Sequence, residues 1–260
     1  GADQTAFCSR TIDTAGTLCS VIEAKHQWWA ELLFRFYVLR SMKKHFYSVY
    51  RWGTLPQIQN DLPVILLPNH NTWWDGFFAY LITSNVLSRP IYLMMTEEQL
   101  QNYPFFSRVG AYSINLKNKK RMLDSLDYTH KILMADDDKA VCIFPEGELK
   151  PYDAESIEYK RGIQWIMQRL QREVNIVQLA IRIEFLDQQN PEVFIRLGNS
   201  MVASSDSFPD LSNLELQHEQ LLNELETGIQ SGDKGEILLD GKSSIHEAYS
   251  KVATAIGWKK

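Results

Sequence analysis

Cysteine is scarce: the 260 residues hold three, Cys8, Cys19 and Cys142. The number is odd and no C-x-x-C or Cys/His spacing suits zinc, so neither a disulfide framework nor a metal site is expected, and a reducing compartment is favoured. No run approaches the ~20 consecutive apolar residues that a bilayer-crossing helix requires. No G-x-S-x-G elbow is present, and Ser113 falls inside an expected strand, not on a sharp turn, which argues against a serine hydrolase. Positive charge is not in excess either. With 27 Lys and Arg against 32 Asp and Glu, the net charge is -5, which argues against general nucleic-acid binding.

What is present suits an ordinary folded catalytic domain. At 45% hydrophobic and 23% charged, the chain can bury a substantial core. Strand-like runs near 63–67, 91–95, 111–115, 140–144, 176–184 and 193–197 are separated by helical stretches near 73–87, 120–135 and 159–172. That alternation implies an α/β fold, a single domain whose largely parallel sheet is covered by helices on both faces. The expected organisation is an N-terminal helical, membrane-associating region over 1–55, a core over 56–200, and a helical extension over 201–260 packed on that core. In the extension, Leu214, Leu221, Leu222, Leu225 and Ile229 suggest a polar helix with one apolar edge, and a final helix is expected over Ser243 to Ile256.

From Trp28 to Tyr50, aromatic and aliphatic residues are interrupted by Arg35, Arg40, Lys43 and Lys44. A helix of this kind can lie in a membrane interface, with rings at headgroup level and cations reaching anionic phosphates. The plainer reading packs Trp28, Leu32, Phe36 and Leu39 on the domain as one stripe. Trp29, Leu33, Phe34, Tyr37 and Val38 fall between those positions, so apolar residues occupy more than one face. Interfacial binding is therefore preferred, and the expected location is the cytoplasmic face of a membrane, peripheral or monotopic.

The most informative stretch is Leu66-Leu67-Pro68-Asn69-His70-Asn71-Thr72-Trp73-Trp74-Asp75, in which H-x-x-x-x-D follows an apolar strand. Histidine can take a proton from an attacking hydroxyl near neutral pH if a partner fixes its tautomer and supports its charge, and Asp75 is the candidate partner. The plainer reading makes Thr72-x-x-Asp75 a capping box, with Thr72 as N-cap and His70 a loop residue. A second strand, Lys139 to Phe144, runs into Pro145-Glu146-Gly147-Glu148, where a turn brackets a carboxylate at a strand end, the usual location of ligands in α/β sheets. Taken alone, that tripeptide is a tight turn with Glu146 in solvent. Cys142, mid-strand, reads as a small hydrophobe.

The two motifs in this order, N-H-x-x-x-x-D and then F-P-E-G, resemble the glycerophosphate and lysophospholipid acyltransferase family. Gly110 to Leu116, Tyr159-Lys160-Arg161-Gly162 and Ile176 to Ile181 match softer blocks, so the resemblance covers roughly residues 60 to 185. It implies an O-acyltransferase that moves a fatty acyl group from an acyl-CoA or acyl carrier protein thioester to a hydroxyl of a lipid acceptor such as a lysophospholipid, with no other cofactor. His70 and Asp75 would form the catalytic dyad. Asn69, Glu146 and Gly147 would help hold substrate, Glu146 by bonding acceptor hydroxyls, and Lys160 and Arg161 would meet an anionic headgroup or the donor phosphates.

The departures from the family pattern bear on the acceptor. Phosphate-gripping arginine is usual where Leu116 stands, and Thr-Arg where Glu148-Leu149 stands; a leucine cannot replace, and a glutamate would oppose, such a clamp. Lys117, Lys119, Lys120, Arg121 and Lys150 lie near enough in sequence to substitute as point charges, or else form a solvated helix start. An acceptor without a phosphomonoester, such as a glycolipid or lipid alcohol, is one alternative. A thioesterase that activates water, or a non-catalytic lipid-binding protein, are others.

Overall fold

The structure is a computed structural model that describes residues 21–152 and 156–241. Along the chain run α1 (Trp28–His45), β1 (Ser48–Arg51), β2 (Val64–Pro68), α2 (Asp75–Asn85), β3 (Ile91–Thr96) and α3 (Glu97–Asn102). A 3-10 segment, Pro104–Val109, leads into β4 (Ala111–Ile114), α4 (Lys119–Ala135), β5 (Ala140–Cys142) and α5 (Gly162–Met167). Then come β6 (Val174–Glu184), β7 (Glu192–Leu197), β8 (Met201–Ala203), α6 (Leu211–Gln230) and β9 (Glu236–Asp240).

All nine strands join one sheet in the order β4-β3-β5-β2-β6-β7-β1-β9, with β8 on β6. The strands β4, β3, β5, β2 and β6 are mutually parallel. Their near-continuous apolar runs follow from that arrangement, because both faces are covered; all of Val64 to Pro68 is buried. Alternate side chains serve the two faces. Val64 and Leu66 join the layer under α1 and α2, whereas Ile65 and Leu67 join the layer under α4 and α5.

Helix α1 packs through Ala30, Phe34, Val38 and Met42, a stripe at four-residue spacing. Of the stripe Trp28, Leu32, Phe36 and Leu39, the first three do not pack, being 81%, 65% and 67% exposed, whereas Leu39 packs against the core. Basic residues in the last turn, Lys43 to His45, favour the negative end of the helix dipole. The chain then turns at once into β1, so the apolar run that reads as one long helix to Tyr50 is a helix followed by a strand. Strands β1 and β9 lie in the two terminal segments read as helical, and they pair with each other antiparallel. Helix α5 is shorter than its sequence pattern, and the helix expected over Ser243 to Ile256 lies outside the described residues.

Helix α6 is fastened to the core by a buried polar chain. His218, fully buried, bonds the Leu179 carbonyl through Nε2 at 3.2 Å and the Tyr159 hydroxyl through Nδ1 at 2.8 Å. Gln178 donates to that hydroxyl at 3.0 Å and to the Leu214 carbonyl at 2.6 Å. Burial lowers the His218 pKa from 6.5 to about 4, against the raising effect of the Leu179 carbonyl. The unfolded chain therefore binds a proton at this position between pH 6.5 and 4 that the native chain does not, so its stabilisation is present above pH 6.5 and declines as pH falls toward 4. Urea unfolding should show His218 contributing a stability loss of up to ~3 kcal/mol across that window. His218→Gln should flatten the slope relative to the parent; equal slopes would contradict this account.

Candidate active site

Each parallel strand delivers its carboxyl end to the same side of the sheet. The loop after β2 carries His70, and the loop after β5 carries Glu146 and Gly147. Asp75 opens α2, fully buried, with both oxygens occupied. Its Oδ2 accepts from His70 Nδ1 at 3.1 Å, from the Asn71 N–H at 2.8 Å and from the Thr72 N–H at 2.7 Å, while Oδ1 accepts from the Thr72 hydroxyl at 2.7 Å. The helix begins at Asp75 with Trp74 as its N-cap, so Thr72 donates to Asp75 instead of capping the helix. One carboxylate thus closes the turn and holds the imidazole. The acidic side chain reaches back to the Thr72 N–H as a capping box would have it, but it does so in the turn before the helix, with Thr72 not the N-cap.

With Nδ1 donating to Asp75, the neutral ring carries its lone pair on Nε2. That atom has no partner among the described residues, and His70 lines an apolar cavity of about 1210 Å³. Phe144 stacks on the imidazole, centroids 4.0 Å apart and planes inclined by 22°, so it covers one face of the ring.

The loops are stitched together across long sequence separations. The Lys150 N–H donates to the His70 carbonyl at 2.8 Å, and the Asn71 amide donates to the Lys150 carbonyl at 2.7 Å. Glu146 is buried and accepts the His70 N–H at 3.1 Å. Burial raises its pKa, and the same N–H opposes that rise. The tight turn is real, with the Gly147 N–H bonded to the Phe144 carbonyl at 3.1 Å and Gly147 at φ +72°, but its carboxylate points into protein and not into solvent.

The expected substrate-binding residues therefore separate. Gly147, Lys160 and Arg161 line the cavity. Asn69 and Glu146 do not; Asn69 is buried and bonds Ile181 through both its amide groups, at 3.0 and 2.8 Å, extending the β2–β6 pairing past Pro68. Lys117 lies away from the cavity, strongly exposed, 3.8 Å from Glu98. Leu116 and Lys119 do line it, and Glu148 sits 3.7 Å from the Lys160 ammonium. Cys142 is buried, and burial pushes its thiol pKa up. Among the described residues no cluster of His, Cys, Asp and Glu could hold a metal. The role of Phe144 was missed from sequence, although its place at the strand end between Ile143 and Pro145 is visible there.

A family model described as Acyltransferase matches residues 52–182, just over half of the chain, spanning both motifs. The chain belongs to the acyltransferase family. Among solved structures it is similar to the 1-acyl-sn-glycerophosphate (LPA) acyltransferase PlsC from Thermotoga maritima, with a TM-score of 0.50 and 18% identity over 74% of this chain and 80% of that one. That likeness is one of fold: a single α/β domain with a mostly parallel central sheet. No curated protein matches.

For this acyltransferase the geometry separates support from chemistry. In Asp75→Asn the amide can keep its oxygen toward the three donors at Oδ2 and give N–H to the Thr72 hydroxyl. The variant should fold, yet lose the charge that supports a protonated His70, lowering acyl-transfer rate by ~10²–10⁴. Initial rates beside melting curves check this, and a near-parental rate would contradict it. Glu146→Gln should retain the bond to the His70 N–H and most activity, whereas Glu146→Ala should destabilise by ~1–3 kcal/mol by orphaning that donor. If both variants melt like the parent but lose acceptor affinity equally, Glu146 is a substrate ligand and not a brace.

Proposed function

We propose that the protein transfers a fatty acyl group from an acyl thioester directly onto a hydroxyl of a lipid acceptor, with His70 as general base and Asp75 as its orienting partner. The observation that carries this reading is His70, tied through Nδ1 to a buried carboxylate and lining a large apolar cavity with Nε2 unpartnered among the described residues. Nε2 takes the proton of the acceptor hydroxyl as its oxygen bonds to the thioester carbonyl carbon. The tetrahedral intermediate then collapses, the C–S bond breaks, and the departing thiolate takes the proton back from His70. The donor is an acyl-CoA or an acyl carrier protein thioester.

The similar structure is named for a glycerophosphate acceptor, but this chain presents Leu116 at the cavity and pairs Lys160 with Glu148. These features favour an acceptor without a phosphomonoester. Lys119 and Arg161 remain as point charges at the cavity. The assay is free-thiol release from a long-chain acyl-CoA with lysophosphatidic acid, other lysophospholipids or lipid alcohols, products identified by mass. Lipid product lost in His70→Ala is expected, with lysophosphatidic acid the poorer acceptor. Equal thiol release with and without acceptor would indicate a thioesterase.

We also place the enzyme on the cytoplasmic face of a membrane as a peripheral protein. No helix among the described residues is long and apolar enough to cross one. Supporting surface attachment, α1 exposes Trp28, Leu32 and Phe36 beside the exposed cations Arg35, Arg40, Lys43 and Lys44. Replacing Trp28, Leu32 and Phe36 together by serine should leave folding intact and lower sedimentation with anionic vesicles by about tenfold or more. Unchanged vesicle binding would remove α1 from the membrane contact.

A further inference from the structure

The cavity beside His70 is not confined to one face of the sheet. Its walls include Phe34, Tyr80, Ile91 and Leu93, which belong to the layer under α1 and α2. They also include Met94, Leu123, Leu126 and Ile163, which belong to the layer under α4 and α5. Consecutive residues of β3, Leu93 and Met94, point to opposite faces and line opposite arms.

A gap in the sheet opens between these two sets of walls. Strand β5 has only three residues and sits between the longer β2 and β3. Its register with β3 stops at the pair Leu93–Cys142, so Met94 to Thr96 have no partner on that side. Its register with β2 stops at the pair Leu66–Cys142. Beyond Cys142 the chain turns at Phe144–Gly147, with Pro145 unable to donate to a ladder. His70 and Phe144 line the cavity at this notch, where the arms meet.

We propose that the notch divides the cavity into two hydrocarbon arms that are filled together, the arm under α1 by the chain of the lipid acceptor and the arm under α4 and α5 by the acyl chain of the thioester donor. This rests on the acyl-transfer reading and deepens it: both reacting groups are brought to His70 from opposite sides of one sheet. The assignment of arms follows from their mouths. Leu33 and Tyr37 line the first arm and are also 56% and 52% exposed on the outer face of α1, the surface that meets a membrane and hence a lipid. The second arm is flanked by Lys119 and Arg161, which suit the phosphates of a soluble coenzyme or carrier arm.

Two inert probes test it without turnover: S-hexadecyl-coenzyme A, a thioether that cannot transfer its chain, and 1-hexadecanol. Native mass spectrometry of the parent should show one of each bound to the same molecule. Leu93→Trp, narrowing the first arm, should weaken hexadecanol by at least about tenfold while changing the thioether by less than about threefold, and Leu123→Trp should do the reverse. Leu93→Phe and Leu123→Phe give the same pattern in weaker form if either tryptophan variant fails to fold. Mutual displacement of the probes, failure of either to bind, or parallel weakening of both in each variant overturns the two-arm arrangement. Thiol release by the parent judges the acyl-transfer reading separately.

Discussion

The Asp75 carboxylate receives hydrogen bonds from the His70 imidazole, two successive backbone N–H groups and the Thr72 hydroxyl, and the rest of the site depends on that convergence. A buried carboxylate would be costly without partners, and here every partner comes from the six-residue stretch between β2 and α2. The four hydrogen bonds offset the cost of burying the charge, and making them orders that stretch. The same contacts fix the imidazole tautomer, so local folding and the presentation of Nε2 at the cavity are consequences of one set of bonds.

A second level of organisation makes the dyad part of a site. Short β5 ends before its neighbours, and Phe144 stacks on His70. Glu146 holds the His70 backbone from 76 residues away, and Asn69 ties the same loop to β6 from 112 residues away. The two sequence motifs of the family therefore meet through main-chain and carboxylate contacts. Preorganisation of this kind reduces the reorganisation required at the moment of reaction.

The parallel strands were legible because strands buried on both faces are near-continuously apolar: Val64 to Leu67, Ala140 to Ile143 and, but for Gln178, Ile176 to Ile181 carry that signature. Strand β1 was not, because Phe46 to Tyr50 resumes the aromatic pattern of α1 after Lys43 to His45, with no glycine or proline to mark the end of the helix. Strand β9 is short and exposed, and it follows the helix α6 through a glycine-containing turn, leaving little periodicity to read. The spacing of His70 and Asp75 indicated that the two side chains meet, as they do at 3.1 Å. Which residues face the cavity depended on backbone direction at strand ends, and so Glu146 and Asn69, grouped with Gly147 in sequence, proved to lie behind the surface that Gly147 helps form. The burial of His218 was equally invisible, since its partners Tyr159 and Leu179 are remote in the chain.

Membership of the acyltransferase family, a PlsC-like sheet and a histidine poised at an apolar cavity form one physical picture. Its central claim is that Asp75 sets the state of His70, and the most direct measurement is the nitrogen-15 spectrum of the neutral His70 ring, assigned by difference against His70→Gln. The account predicts a proton on Nδ1 and a bare Nε2, with that preference lost in Asp75→Ala. A proton on Nε2 in the parent, or a tautomer indifferent to the loss of Asp75, would contradict it.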